Sequence, residues 1–312
     1  MSRKLLLGAV ASVLLLAGSG LHASPTSSAP AHTFYVDPES PAAAAARADP
    51  GDAAAAAIAA VPQARWFTEA TPDVAAAVDR YVGRAAAAGA MPVLVTYAVP
   101  GRDCGGFSAG GLPDGAAYAA WVRAVRAGIA QRPAMVVVEP DALVALDCLD
   151  PAARTARYAA LADAVAQLSA DPETAVFVDG GHSRWLAPAE LAARLRAVRA
   201  PGFSLNVSNF FTTAEQQEYG ERVSALLGGV PYVVDTSRNG LGPAPDAPLN
   251  WCNPPGRALG PPPTTATDAP HDVADLWIKG PGQSDGHCDR ADPASGRWFP
   301  DYAAGLVARA RS

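Results

Sequence analysis

The run Val136-Val137-Val138-Glu139-Pro140-Asp141 is apolar and β-branched, and it stops at two carboxylates separated by a proline. Flanked by helical patterns, it reads as a buried parallel strand. Pro140 cannot continue a central strand, so Glu139 and Asp141 fall where it ends. Chemistry in α/β proteins gathers at the C-terminal ends of strands, which makes Asp141 a candidate acid. The competing reading is that Asp141 caps the next helix, a position Asp favours. Other apolar runs end the same way: in Asp103, in Asp179 followed by His182, in Asn206, in Asp235, and in Lys279 followed by Asp285.

That set narrows the reaction. There is no Gly-rich phosphate loop and no GxSxG elbow. CxxC pairs and clustered histidines are missing too, so no zinc site, other metal or cofactor is expected. Carboxylates without metal ligands suit general acid and base catalysis, the chemistry of glycosidic bond hydrolysis. Crowding them raises the pKa of one and keeps it protonated to donate. Some must be structural, with Asp235 the leading example because Arg238 lies nearby. Trp66, Trp185 and Trp251 fall in or beside loops at this face, where indoles stack on sugar rings. Trp121 falls within a helix and is explained by packing. Lys279 is the one lysine after residue 4, among 21 arginines beyond residue 3. A compact ammonium there is not interchangeable with a guanidinium.

The elements that must position these residues alternate. Strands are predicted at 92–99, 134–139, 174–179, 203–206, 232–235 and 273–279, with a short element at 33–36. Helices are predicted at 42–48, 52–61, 71–88 with Thr71 as cap, 114–131, 151–169, 188–198, 213–227 and 298–309. This alternation favours a parallel sheet, closed as a barrel or open and doubly wound. The Gly/Pro-rich stretch 240–272 reads as a structured loop over one end.

The chain has 312 residues, 50% hydrophobic and 17% charged, the profile of one globular catalytic domain over residues 33–312. Arg3-Lys4, an apolar stretch and a small polar run make residues 1–23 a secretory signal peptide. Residues 24–32 form a leader expected to be disordered. Loss of Arg3 and Lys4 takes the net charge from -6 to -8, which argues against nucleic acid or membrane as partner of the mature form. A monomer is expected. Cys104, Cys148, Cys252 and Cys288 in an exported chain suggest two disulfides. Three pairings are open, and sequential pairing is favoured because each bridge would tie two neighbouring loops.

Seven motifs then follow in order: Tyr97-Ala98-Val99-Pro100-Gly101-Arg102-Asp103-Cys104, Glu139-Pro140-Asp141, Asp179-Gly180-Gly181-His182-Ser183-Arg184-Trp185, Asn206-Val207-Ser208-Asn209, Asp235-Thr236-Ser237-Arg238-Asn239-Gly240, Trp251-Cys252-Asn253-Pro254-Pro255-Gly256-Arg257, and Trp277-Ile278-Lys279-Gly280-Pro281-Gly282-Gln283-Ser284-Asp285-Gly286. From Trp66 onward the chain resembles glycoside hydrolase family 6, the cellulase family of endoglucanases and cellobiohydrolases. The resemblance implies a distorted (β/α) barrel with fewer than eight parallel strands and the active site at their C-terminal ends. It implies hydrolysis of β-1,4-glucan, as cellulose or cello-oligosaccharides, with inversion. Asp141 matches the general acid, Asp103 the carboxylate that keeps it protonated and relays a proton from water, and Asp285 the contested base. Asp179 matches a carboxylate important to the site's charge arrangement. Tyr97 presses on the distorted sugar and Ser108 helps to hold water. Trp66, His182, Trp185, Asn206, Trp251, Lys279 and Gln283 match substrate-binding positions, and the cysteines match the sequential pairing. Gln283 departs from the family's usual Glu, which removes a charge that could pair with Lys279 and alters the expected pH profile or substrate preference. Short segments after Asp179 and between Cys252 and Cys288 favour an open cleft and internal cleavage. Other readings are a relative acting on other β-glucans or short oligosaccharides, and a glycan-binding protein without turnover.

Overall fold

The computed structural model describes residues 33–310; the predicted signal peptide and leader lie outside them. Seven strands form one sheet in sequence order, each pair parallel: β1 (Arg65–Thr68), β2 (Val93–Tyr97), β3 (Ala134–Val138), β4 (Thr174–Asp179), β5 (Phe203–Leu205), β6 (Tyr232–Asp235) and β7 (Asp272–Leu276). The helices are α1 (Pro41–Ala48), α2 (Ala53–Ala59), α3 (Val74–Ala87), α4 (Gly115–Ile129), α5 (Pro151–Leu168), α6 (Pro188–Ala197), α7 (Thr213–Leu226) and α8 (Pro300–Ala310). The sheet curls without a ladder between its first and last strands. Ala64 N donates to Trp277 O at 2.9 Å and the Trp66 indole to Ile278 O at 2.8 Å, so the edges meet through two hydrogen bonds.

Strand alternation divides the core. Leu94, Val136, Val138, Val178 and Val234 face outward and pack with Val78, Val122, Leu161 and Leu191 of the helices. Val95, Val137, Phe177, Val233, Leu276 and Ile278 fill the interior of the curl. Both faces are therefore apolar, and the strands read as continuous hydrophobic runs. A third cluster, with Ile58, Trp277 and Val307, joins α2 and α8 over the gap between β1 and β7.

Two predicted details change. The strand β1 was absent from the predicted set, because Arg65-Trp66-Phe67-Thr68 is only four residues long and lacks a run of β-branched residues. Trp66 is thus a strand residue. The cap of α3 is Asp73, which accepts from Ala76 N, whereas Thr71 Oγ1 accepts from Thr68 N at 3.1 Å and closes the preceding turn. Elsewhere Ser40, Asp52, Asp114, Asp150 and Thr212 each accept from the N–H three residues on. Both disulfides pair sequentially: Cys104–Cys148 ties the loop after β2 to the one after β3, and Cys252–Cys288 ties the loop after β6 to the one after β7. Among the described residues no helix is long and apolar enough to cross a membrane.

Candidate active site

Loops at the C-terminal ends of the strands wall a groove of about 1020 Å³. Trp66, Tyr97, Asp103, Ser108, Asp141, His182, Trp185, Trp251, Lys279, Gln283 and Asp285 all lie on it. These residues span more than 200 positions of sequence, and parallel strands bring them to one rim. Asp179 and Asn206 do not reach the wall. Both are fully buried, and each bonds to the strand-end backbone. Asn206 Nδ2 donates to Phe211 O at 3.0 Å and Asp235 O at 2.9 Å, while its Oδ1 accepts from Phe211 N at 3.2 Å. That use of both amide ends leaves nothing for a ligand. Asp235 is also structural, but not through Arg238: its oxygens accept from Ser208, Ser237, Ile278 and Lys279 N–H groups.

Asp141 does not cap a helix; Asp150 caps α5. Its backbone carbonyl accepts from Val144 N at 3.1 Å and Ala145 N at 2.8 Å, and its N–H donates to Asp179 Oδ2 at 2.9 Å. Among the described residues its carboxyl has no hydrogen-bond or ion partner. Burial, and then the charges of Asp179 and Asp103, push its pKa well above the usual carboxylate range. Burial also lifts Asp179, to about 6, against the Asp141 and Gly181 N–H groups and the Ser204 hydroxyl that favour its anion. Asp103 is held by the turn it starts, with Oδ2 accepting from Ser108 N at 2.6 Å. Ser108 Oγ lies 2.9 Å from Ser295 Oγ in the loop after β7, and Phe107 meets Trp251 with ring centroids 6.0 Å apart.

Asp285 is the opposite case. Its Oδ2 accepts from Arg238 Nη1 at 2.7 Å and Asn253 N at 3.0 Å, and Lys279 Nζ lies 3.0 Å from Oδ1. Burial alone would raise its pKa, but the two cations and the Asn253 N–H outweigh it and hold the group below the usual value. Lys279 therefore pairs with Asp285, not with position 283. Glu69 is likewise neutralised, by Arg102, whose guanidinium lies 4.4 Å from the Tyr97 ring centroid. Asp141 is thus a groove carboxyl whose pKa is raised and whose oxygens, among the described residues, are uncommitted, set among acids that are paired or pinned.

The aromatic positions differ in exposure. Trp185 and Trp251 are 39% and 42% exposed, large apolar faces left open on a groove wall. Trp66 is fixed by its indole bond and an edge contact to Tyr97 at 5.1 Å. His182 packs against Phe211 at 4.4 Å and Trp185 at 5.3 Å. Burial lowers its pKa to about 4, so it is neutral near pH 7. Its Nδ1 accepts from Arg184 N at 3.2 Å, which leaves Nε2 to carry the proton. Phe107, Phe211, Asp246 and Asn250 also line the groove and were not singled out from sequence. The pair Phe210-Phe211 behind Asn209 was a usable signal. Asp246 and Asn250, in a Pro-rich loop, carried none.

Residues 29–310 match the family model described as Glycosyl hydrolases family 6. The chain is 42% identical to Endoglucanase A of Thermobispora bispora, over 96% of this chain and 69% of that protein. It is also 42% identical to Endoglucanase 1 of Streptomyces halstedii, over 88% of each. The endoglucanase Cel6 of Mycobacterium tuberculosis, solved with methyl-cellobiosyl-4-deoxy-4-thio-β-D-cellobioside, superposes with a TM-score of 0.88 at 53% identity, covering 90% of this chain and 98% of that one. A curled seven-stranded parallel sheet, a rim of carboxylates and a match across nearly all described residues have one common explanation: this chain is a glycoside hydrolase belonging to glycosyl hydrolases family 6.

Proposed function

We propose that the chain is a secreted endo-β-1,4-glucanase that inverts the anomeric carbon. The observation that carries this reading is Asp141, a groove carboxyl with a raised pKa and no partner among the described residues. A raised pKa holds the proton on such a group to higher pH, as a general acid requires. In the reaction it gives its proton to the glycosidic oxygen as the C1–O bond breaks, and water forms the new bond from the opposite face. The water's proton passes toward Asp103, with Ser108 at hand. We assign it there and not to Asp285, because Arg238, Asn253 and Lys279 occupy the Asp285 oxygens and make it a weak base. Asp285 remains an anion that balances the positive charge developing on the sugar. Tyr97 lies beside the cleavage point, and Trp66, Trp185, Trp251 and a Nε2–H donor on His182 bind glucosyl units along the groove.

An uncharged glycan suits this wall, where open indole faces alternate with charges of both signs, several of them already paired. The names of the relatives, endoglucanases, support internal cleavage. Two disulfides fit an oxidising compartment and hence export. A second reading, activity on mixed-linkage glucan or short oligosaccharides, is favoured by Gln283 on the groove wall. NMR of cellopentaose hydrolysis tests the proposal: the first-formed anomer is expected to be α. A β product would end the inverting mechanism. Reducing-sugar release from amorphous cellulose is expected to fall to background in Asp141→Ala, and equal release by wild type and variant would end the assignment of Asp141.

A further inference from the structure

Glu139 has its carboxylate buried between β2, β3 and α4, away from the groove. Its Oε1 accepts from Ala98 N at 3.1 Å and the Tyr118 hydroxyl at 3.0 Å. Its Oε2 accepts from Ala98 N at 2.9 Å and Val99 N at 3.0 Å. Those N–H groups follow directly on β2, beyond the point where Glu139 N donates to Thr96 O at 2.9 Å. The side chain takes over where the backbone ladder to β3 stops.

The backbone on either side of Pro140 is strained. Glu139 has φ 50° and Asp141 φ 69°, both left-handed without being glycine. Each such residue is unfavourable in isolation and persists only where its surroundings over-determine it. Glu139 is doubly disfavoured, because a residue before proline is driven toward extended backbone. Asp141 is held by its N–H bond to Asp179. At Glu139 the hold is the carboxylate itself, anchored by three donors.

We propose that Glu139 is a positioning residue for the proton donor: its buried carboxylate keeps the backbone before Pro140 left-handed, and that turn aims Asp141 into the groove. Without the anchor, Glu139 relaxes toward extended backbone and swings the Asp141 carboxyl off the glycosidic oxygen. The inference rests on Asp141 being the acid. It predicts a defect confined to proton donation, which general loosening of the fold would not produce.

The test compares wild type, Glu139→Gln, Tyr118→Phe and Asp141→Ala on cellopentaose and on 2,4-dinitrophenyl β-cellotrioside, whose leaving group needs no proton. Gln keeps the shape, but one orientation sets its NH₂ against Ala98 N and Val99 N and the other sets it against Ala98 N beside the Tyr118 hydroxyl, so the anchor is weakened either way. Glu139→Gln is expected to lose about 10²-fold in kcat on cellopentaose with KM unchanged, and less than about 3-fold on the dinitrophenyl substrate. Tyr118→Phe keeps the carboxylate and removes one donor, and a smaller loss with the same bias is expected. It carries the test should Glu139→Gln not fold. Equal losses on both substrates, with Asp141→Ala still selective, would overturn the positioning role alone. A non-selective Asp141→Ala would overturn the acid reading and this inference with it.

Discussion

Arg238 Nη1 donates to Asp285 Oδ2 across 2.7 Å, from a side chain with no solvent exposure. The guanidinium also lies 4.3 Å from the Phe210 ring centroid, so its direction is set by packing as well as by charge. Breaking a buried pair by removing one partner costs more than the pair contributes, because an uncompensated charge remains. Arg238→Ala is expected to destabilise the chain by about 3 kcal/mol, softened by Lys279, in urea unfolding at pH 7. The pH dependence has a defined sign. A depressed carboxylate pKa adds stability above its unfolded value, and that stability is lost as pH falls through the folded value. Without Arg238 the folded value rises, so acid unfolding should begin at higher pH than in wild type.

Gln283 shares the groove with Asp141 and Asp285. Gln283→Glu adds a negative charge of nearly the same shape. A like charge disfavours ionisation of Asp141, so the basic limb of kcat/KM should move to higher pH, by roughly half a unit in a wet groove. An unchanged basic limb would show that position 283 is electrostatically remote from the acid.

The two disulfides should differ in their consequences. Cys104 and Cys148 are exposed, whereas Cys252 and Cys288 are buried. Cys104–Cys148 closes a separation of 44 residues and anchors the turn that carries Asp103 and Ser108. Cys104→Ser with Cys148→Ser is expected to cost about 2–4 kcal/mol of stability, with a loss of kcat still visible at temperatures where the variant is fully folded. Mild reductant should give the same kinetic change before it opens Cys252–Cys288, as followed by thiol labelling.

Far from the groove, a bulge at Val273 puts Asp272 and Asp275 on the same side of β7, opposite Tyr232 and Val234. Both carboxylates are buried, and burial is the main cause that raises them to about 6 and about 7. The sign is the reverse of Asp285: their contribution is complete below the unfolded carboxylate pKa and is lost as pH rises through these values. Melting temperature should therefore drop between pH 5 and 8 by roughly 2–4 °C per kcal/mol lost, and Asp275→Asn should flatten that slope. A slope unchanged by the substitution would exclude the pair as its source.

How much could be read without coordinates depends on the range of the interaction. The run 136–138 and the Gly/Pro punctuation act within a few residues, so six of the seven strands and the parallel β/α alternation were legible from sequence, whereas the aspartate caps of α2, α3, α4 and α5 were not named. The carboxylates at strand ends were legible for the same reason, since a parallel strand must deliver its C-terminal residue to one rim. The strand β1 escaped because four residues hold too little periodicity, and its place comes from pairing with β2. Partnership was settled only by the fold. The motif resemblance separated Asp141 from Asp285, and Asp235 was read as structural, but the partners behind those roles were not legible: Asp141 without a partner among the described residues, Asp285 clamped by Arg238 from one loop and Lys279 from another, and Asp235 spent on four backbone N–H groups. Residue type fixes what a carboxyl can do, but its proton depends on burial and on charges brought from distant parts of the chain, and those exist only once the sheet has curled.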